Sequence, residues 1–407
     1  MKSSPISIKE RIVTIDVIRG FALFGIFLVN MPAFHSPDFK VQLNGMHMSY
    51  TGMDYWVDMF LQMFIQMKFF TIFSFLFGLG FYLFMSRAEQ KKFRMNRLFS
   101  RRLLGLLIFG LLHLVFLWLG DILHLYAIAG FILLFFYKRK PKTILIWAFS
   151  ILFVFHALIS LSFLVPQEML QEMEAGMQEN YDEKLATYVS IYEQASYQEW
   201  LSYRLETEIP FILMNLPFTL MPVLALFLFG LYAGKIGIFE RINEHQNLLK
   251  KVQLVSFLIG ILFALLLGST KANLLTFGVY EGSAIQLFTS ISGIGLCFFY
   301  ITTLTLLLRK EVWIKRLRPL GYVGQMALTN YLLQTIICVI LFLGFNLYGQ
   351  MSLTMGTLLC FVIYGLQLFI SYKWLQVYQF GPFEWLWRMM TYGSIQPIKR
   401  SVQYIDK

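Results

Sequence analysis

"RRLLGLLIFGLLHLVFLWLGDILHLYAIAG", residues 101–130, opens on two arginines and then runs almost wholly apolar, yet it holds His113, Asp121 and His124. Either side of Gly120 the run reads as a helix, 102–120 and 122–137, so the stretch is a hairpin with a very short turn. Ionisable groups are rare in hydrocarbon because burying a charge there is costly. Counted from Arg102, His113 stands about 16 Å along its helix, near mid-membrane. A histidine at that depth is neutral and partnered, either bonding a neighbouring helix or serving as a general base or proton relay. Asp121 is expected at the outer turn, within reach of water, where it caps the next helix or orients His124 just below it.

The rest of the chain agrees with that reading. Of its 407 residues, 57% are hydrophobic and only 14% charged, whereas about a quarter of a soluble domain is charged. The sequence predicts an all-α fold, a polytopic membrane helix bundle forming one integral membrane domain. About ten transmembrane helices are expected, near 17–34, 67–86, 102–120, 122–137, 143–165, 209–234, 252–269, 284–308, 323–344 and 353–374. The net charge of +11 does not point to nucleic acid, because the basic residues lie in short clusters between apolar runs. With the N-terminus cytoplasmic, every Lys and Arg falls on the inner side except Lys40, Lys68, Lys184, Arg204 and Lys271. That bias supports both the span count and cytoplasmic N- and C-termini. Cys297, Cys338 and Cys360 sit in apolar runs without C-x-x-C spacing, which argues against a disulfide framework or a thiolate metal site. No metal-ligand spacing, P-loop or G-x-S-x-G is present, so no metal is expected.

Three segments outside the spans are distinctive. In residues 54–66, Asp58, Gln62 and Gln66 recur every four residues, the pattern of an interfacial helix. A straight helix from Trp56 to Phe84 would be about 43 Å long, too long for the bilayer. The expectation is therefore a break, with Lys68 snorkelling at the outer end of the second span and within reach of Asp121. Residues 166–208 carry ten acidic residues against Lys184 and Arg204, and are expected as an extracytoplasmic loop with amphipathic helices. Residues 381–407 form a tail in which "FGPFEWLWRMMTYG" suits an interfacial helix, either an anchor or a lid over an inner entrance. "FLFGL" occurs at both 75–79 and 227–231, a chance product of composition or the trace of a repeat.

Other polar residues in or beside the spans are candidates for a site. Asp16 and Arg19 share a helix face and can pair, or Arg19 can grip an anion entering from the cytoplasm. Gln325, Thr329, Asn330 and Gln334 form a polar stripe that must face protein or water, either as interhelical bonds or as substrate contacts. Glu384 and Arg388 are an i,i+4 pair beside Trp385 and Trp387. His35, His47, His156 and His245 are scattered and carry no pattern.

"IDVIRGFALFGIFLVN", "KFFTIFSFLFGLGF", the 101–127 stretch, "GQMALTNYLLQT" and "FGPFEWLWR" together resemble the YeiB-like family of bacterial membrane proteins, which includes YxaH and YrkO. The likeness covers nearly the whole chain, and the family carries a domain of unknown function. The family is in turn similar to the transmembrane acyltransferase superfamily, with Asp16, Arg19 and Gly20 matching its D-x-x-R-G at the first span. The resemblance implies a multi-pass protein of the bacterial plasma membrane. It would move an acyl group from cytoplasmic acyl-CoA to an extracytoplasmic glycan or lipid hydroxyl. Asp16, Arg19, Arg101 and Arg102 would then hold the CoA phosphates. Lys68, Gln325, Asn330, Gln334 and Glu384 would contact substrate. Several branches of the superfamily place a histidine about ten residues after the arginine; here Val29 and Asn30 stand there. The general base therefore falls to His113 or His124, with Asp121. The alternative from the residues themselves is a transporter of a small amphiphilic or anionic molecule, its path lined by Lys68 and the polar stripe.

Overall fold

The structure, a computed structural model, describes residues 12–37, 40–41, 49–179 and 181–400. The helices are α1 (Val13–His35), α2 (Gly52–Phe64), α3 (Lys68–Gln90), α4 (Met95–Phe116), α5 (Leu123–Leu133), α6 (Pro141–Ser160), α7 (Gln167–Gln178) and α8 (Tyr181–Gln194). They continue as α9 (Tyr197–Tyr203), α10 (Ile209–Lys235), α11 (Gln246–Lys271), α12 (Glu281–Leu307), α13 (Glu311–Gln325), α14 (Ala327–Val339), α15 (Leu353–Val377) and α16 (Pro382–Tyr392). The termini, His47 and the end of the 381–407 tail lie outside the described residues.

Among the described residues, nine helical stretches are long and apolar enough to cross a membrane, as a polytopic bundle requires. The span expected at 122–137 is the exception. It forms as 11 α-helical residues and a 3-residue 3-10 turn, about 21 Å in all, short of the ~30 Å hydrocarbon thickness. The hairpin tip therefore sits inside the bundle. Helix α9 and the π-helical turn after it (Arg204–Glu208) roof it: the Tyr197 hydroxyl donates to the Phe116 carbonyl over 3.1 Å, and the Arg204 guanidinium donates to the Leu114 carbonyl. Asp121, expected at a wet turn, is 5% exposed instead. We call the end bearing residues 91–102 the basic face, and the end roofed by α7–α9 the acidic face.

The two FLFGL stretches pack on each other. A side chain at Gly78 would collide with the Phe227 carbonyl, and one at Gly230 with the Phe75 carbonyl. Phe77 stacks on Phe227 with ring centroids 4.4 Å apart. The contact is reciprocal, with each segment's glycine set against the other's first phenylalanine. Small residues let helix backbones approach where no hydrophobic effect drives association, and here they fix the α3–α10 crossing at the centre of the core. A second close crossing sets Gly20 of α1 against the Leu320 carbonyl and Gly324 of α13 against that of Asp16.

Large apolar side chains facing outward, such as Phe135, Phe153 and Met214, are between 76% and 78% exposed and form the lipid-facing shell. Helix α2 is separate from α3, with Met67 in the left-handed region at the break (φ 64°). Its exposed Met53, Trp56 and Phe60 contrast with buried Leu61 and Gln62.

Candidate functional site

Helix α13 stops at Gln325 and α14 starts at Ala327, with Met326 between them off helical geometry (φ −113°, ψ 33°). A broken helix inside a membrane bundle is tolerated where protein or a cavity satisfies the freed backbone groups. Both kinds of satisfaction occur here. Arg19 donates to the Gly324 carbonyl over 3.4 Å and to Asp16 over 3.1 Å. The Glu384 carboxylate accepts from the Thr329 backbone N–H (3.0 Å) and the Thr329 hydroxyl (2.5 Å), capping the start of α14. Burial pushes the Glu384 carboxyl above the ordinary carboxylate range, and the bonds from Thr329 and Leu328 oppose that rise.

The break opens on a cavity of about 320 Å³. Asp16, Arg19, Arg87, Arg102, Gln325, Glu384, Arg388 and Tyr392 line its end toward the basic face. Leu23, Ile26, Phe73, Leu76, Phe77, Leu123, Tyr126 and Tyr331 line the other end. Four guanidinium groups thus face one space with two carboxylates. Arg388, Arg19 and Glu384 lie close enough to Arg102 for their charges to act on it. The Arg102 guanidinium stands 3.6 Å over the Trp387 ring, whose N–H donates to the Arg102 carbonyl over 2.7 Å. Arg388 stacks over Phe380 at 4.2 Å. Helix α16 therefore forms a wall of the cavity.

Asp121 bonds His124, as the short turn suggests, and also His113, which was expected to lie deeper, in one buried network. Asp121 accepts from His113 Nδ1 (2.9 Å) through one oxygen, and from His124 Nδ1 (2.7 Å) and the His124 backbone N–H (2.8 Å) through the other. With both Nδ1 atoms donating, each imidazole lone pair lies on Nε2. That of His113 is taken by the Thr335 hydroxyl at 2.9 Å. No described residue bonds His124 Nε2. His113 is 1% and His124 4% exposed, and neither lines the cavity. The barrier is the layer of Ile122, Leu123 and Tyr331, which does line it. The Tyr331 ring lies 5.1 Å from that of His113.

The remaining expected residues divide. Arg19, Asp16, Arg102, Gln325 and Glu384 meet at the cavity. Arg101 does not line it; its guanidinium lies against Gly393 at the end of α16. Asn330 donates to Ser371 (3.0 Å), and Gln334 to Gln367 (2.9 Å), so this half of the polar stripe ties α14 to α15. Lys68 does not snorkel. It is 0% exposed, donates to the Gln62 carbonyl over 3.0 Å, and is not bonded to Asp121. The α2–α3 break folds α2 over it, so the ammonium never reaches the surface. Asp58 pairs with Lys271 instead, at 2.9 Å.

Arg388 and Trp387, marked in the sequence as part of an interfacial helix, line the cavity, whereas Tyr331 was not singled out from sequence. Arg87 begins a basic run and so carried a weak signal, whereas nothing local marks Tyr331. His35 carries no sequence pattern either, yet it is 2% exposed and neither ring nitrogen has a partner among the described residues.

Fold and site together define a polytopic α-helical membrane protein with a cationic cavity opening from one face and a buried imidazole–carboxylate network behind its end. The family described as "Protein of unknown function (DUF418)" matches residues 233–394. The chain is 35% identical over 415 residues to the uncharacterized protein YxaH of Bacillus subtilis (strain 168), covering 98% of both chains. It is 33% identical to an uncharacterized 39.9 kDa protein in the amylase 3' region of Bacillus acidopullulyticus, over 97% of each. It is 27% identical to the uncharacterized protein YeiB of Escherichia coli (strain K12), over 95% of this chain and 98% of the relative. The chain belongs to this YeiB- and YxaH-like family.

Proposed function

We propose that this protein takes an acyl group from an acyl thioester at the basic face and passes it to a hydroxyl, with the basic face cytoplasmic in a bacterial plasma membrane. One observation carries the reading. The cavity is cationic where it nears the basic face and apolar where it ends, and that end abuts the His113–Asp121–His124 network through a single layer of side chains. Guanidinium groups suit the phosphates of CoA, and the apolar end suits the acyl chain.

His124 is the base in this reading, because its Nε2 is the uncommitted imidazole nitrogen of the network. It removes the proton of the acceptor hydroxyl, and the Asp121 carboxylate steadies the imidazolium. The oxygen then bonds the thioester carbonyl carbon, the C–S bond breaks, and the proton leaves with the thiolate. His113, held by both Asp121 and Thr335, is a positioning residue. The layer containing Tyr331 moves aside to admit the carbonyl. Asp16, Arg19, Arg102, Gln325 and Glu384 set the donor end.

The test is transfer or hydrolysis of labelled acetyl-CoA by purified protein in nanodiscs. Activity is expected in the wild type, lost in His124→Gln while the protein stays folded, and weakened through KM in Arg102→Ala. Absence of CoA binding at millimolar concentration overturns the reading.

A second reading, transport of a small anionic amphiphile, is favoured by the α13–α14 break, since discontinuous helices surround substrate sites in transporters. Counterflow of an alkyl phosphate in proteoliposomes, without thioester cleavage, would select it.

A further inference from the structure

We infer that the cavity is a length gauge, built for an anionic amphiphile whose tail is short to medium and not that of a membrane lipid. The inference rests on the donor-site reading above and adds the chain length that site accepts. Helix α1 measures the apolar end inward of its arginine: the lining runs from Arg19 through Leu23 to Ile26, seven residues or about 10 Å of helix. On α3 the lining continues from Arg87, at the cationic end, through Phe84, Gly80 and Phe77 to Phe73. One leaflet of hydrocarbon is about 15 Å deep, so a lipid-length tail overruns this space. The volume of about 320 Å³ lies at the low end of small-molecule pockets, which span roughly 300–1,000 Å³. The bulky head of a CoA ester therefore stays at the arginines, and only its acyl arm enters.

The end wall is braced. The Tyr126 hydroxyl donates to the Phe70 carbonyl over 3.1 Å and shares a 2.8 Å bond with Ser74. Its ring meets the edges of Phe77 and Phe227, at 5.5 and 5.2 Å between centroids. Those two rings belong to the reciprocal glycine crossing, so the wall is backed by a contact in which two helix backbones touch. Gly80 contributes the opposite property. A Cβ built there meets no atom within 4 Å, so this glycine faces open cavity and keeps it wide.

Gly80→Leu is accordingly the decisive variant: its Cβ enters open cavity, and leucine favours the helix over glycine. Binding of CoA, acetyl-CoA, octanoyl-CoA, palmitoyl-CoA and octyl phosphate is measured on full-length protein in nanodiscs, with empty nanodiscs as the partition control. Affinity is expected to rise from CoA to octanoyl-CoA by roughly threefold to fourfold per buried methylene, then to fall for palmitoyl-CoA. Gly80→Leu is expected to abolish the octanoyl gain, read as the ratio of octanoyl-CoA to CoA affinity within the same variant. Palmitoyl-CoA binding at least as tightly as octanoyl-CoA, unaffected by Gly80→Leu, overturns the gauge while leaving the donor site standing. Octyl phosphate obeying the gauge with no CoA compound bound would overturn the thioester reading and leave the gauge standing.

Discussion

Arg102 and Arg204 lie toward opposite ends of α4, and each sits over a tryptophan ring, Trp387 at 3.6 Å and Trp200 at 4.4 Å. Their surroundings differ. Arg204 is 0% exposed, paired with Glu208 at 3.1 Å, and bonded to the Leu114 carbonyl. Glu208 is itself held by the Tyr192 hydroxyl at 2.9 Å. Arg102 makes no ion pair with a described carboxylate and faces a cavity shared with three other arginines. A guanidinium whose charge is matched by its neighbours fastens a roof; on the function proposed above, one in a cavity where arginines outnumber carboxylates receives an anion from outside. Residue type alone does not separate the two roles.

The sharpest way to break this comparison is to truncate both arginines. Arg204→Ala strands Glu208 in a buried site and is expected to cost about 3–5 kcal/mol, read as a lowered unfolding midpoint or as failure to purify monodisperse protein. Next in size is Asp121→Ala, which removes the acceptor of two buried imidazoles. It is expected to cost about 1–3 kcal/mol for each imidazole left unpaired, again by unfolding midpoint. Arg102→Ala loses mainly its contact over Trp387, about 0.5–1 kcal/mol. Yet it should abolish the salt-sensitive part of CoA or alkyl phosphate binding. A large stability loss with unchanged binding would reverse the roles assigned to the two arginines.

The smallest effect sharpens the cavity end of the comparison. Burial raises the Glu384 carboxyl, so the folded chain holds that proton more tightly than the unfolded chain. Its contribution to stability is fullest below the unfolded carboxylate pKa and is lost as pH rises through the folded value. Glu384→Gln should flatten the pH dependence of the unfolding midpoint across that window. It should also tighten anion binding at neutral pH, because one negative charge leaves the arginine cluster. A stability profile identical to wild type would show that Glu384 does not titrate as described.

How much of the site was legible follows from what each signal measures. Arg19 with Asp16, and Arg102 at the start of its span, were visible because polar residues stand out against apolar runs. The pairing of Asp121 with His124 was visible because the two flank a short turn; that His113, expected near mid-membrane, meets the same carboxylate was not. That Asp121 is dry was not visible. It depends on α5 being too short to surface and on α9 and the turn after it reaching across to Phe116 and Leu114 from about 80 to 90 residues away in sequence. The polar stripe from Gln325 to Gln334 read as one feature and divides in space. Gln325 faces the cavity, whereas Asn330 and Gln334 turn to α15 because the break at Met326 resets the helix. FLFGL was ambiguous as a repeat, and its physical meaning is a pair of glycines that admit each other's backbone.

The amino-acid sequence by itself determined the class of molecule, because lipid exposure demands long apolar helices and a local pattern suffices to mark them. It also determined the distribution of charge between the two faces. Tertiary structure alone decided which polar residues are satisfied and which face a space. That outcome depends on the contacts between helices far apart in sequence: the crossings at Gly78 with Gly230 and at Gly20 with Gly324, the roof over the short hairpin, and the carboxylate of α16 on the broken helix. A side chain's chemistry is written in its residue type, but its partners are supplied by the fold.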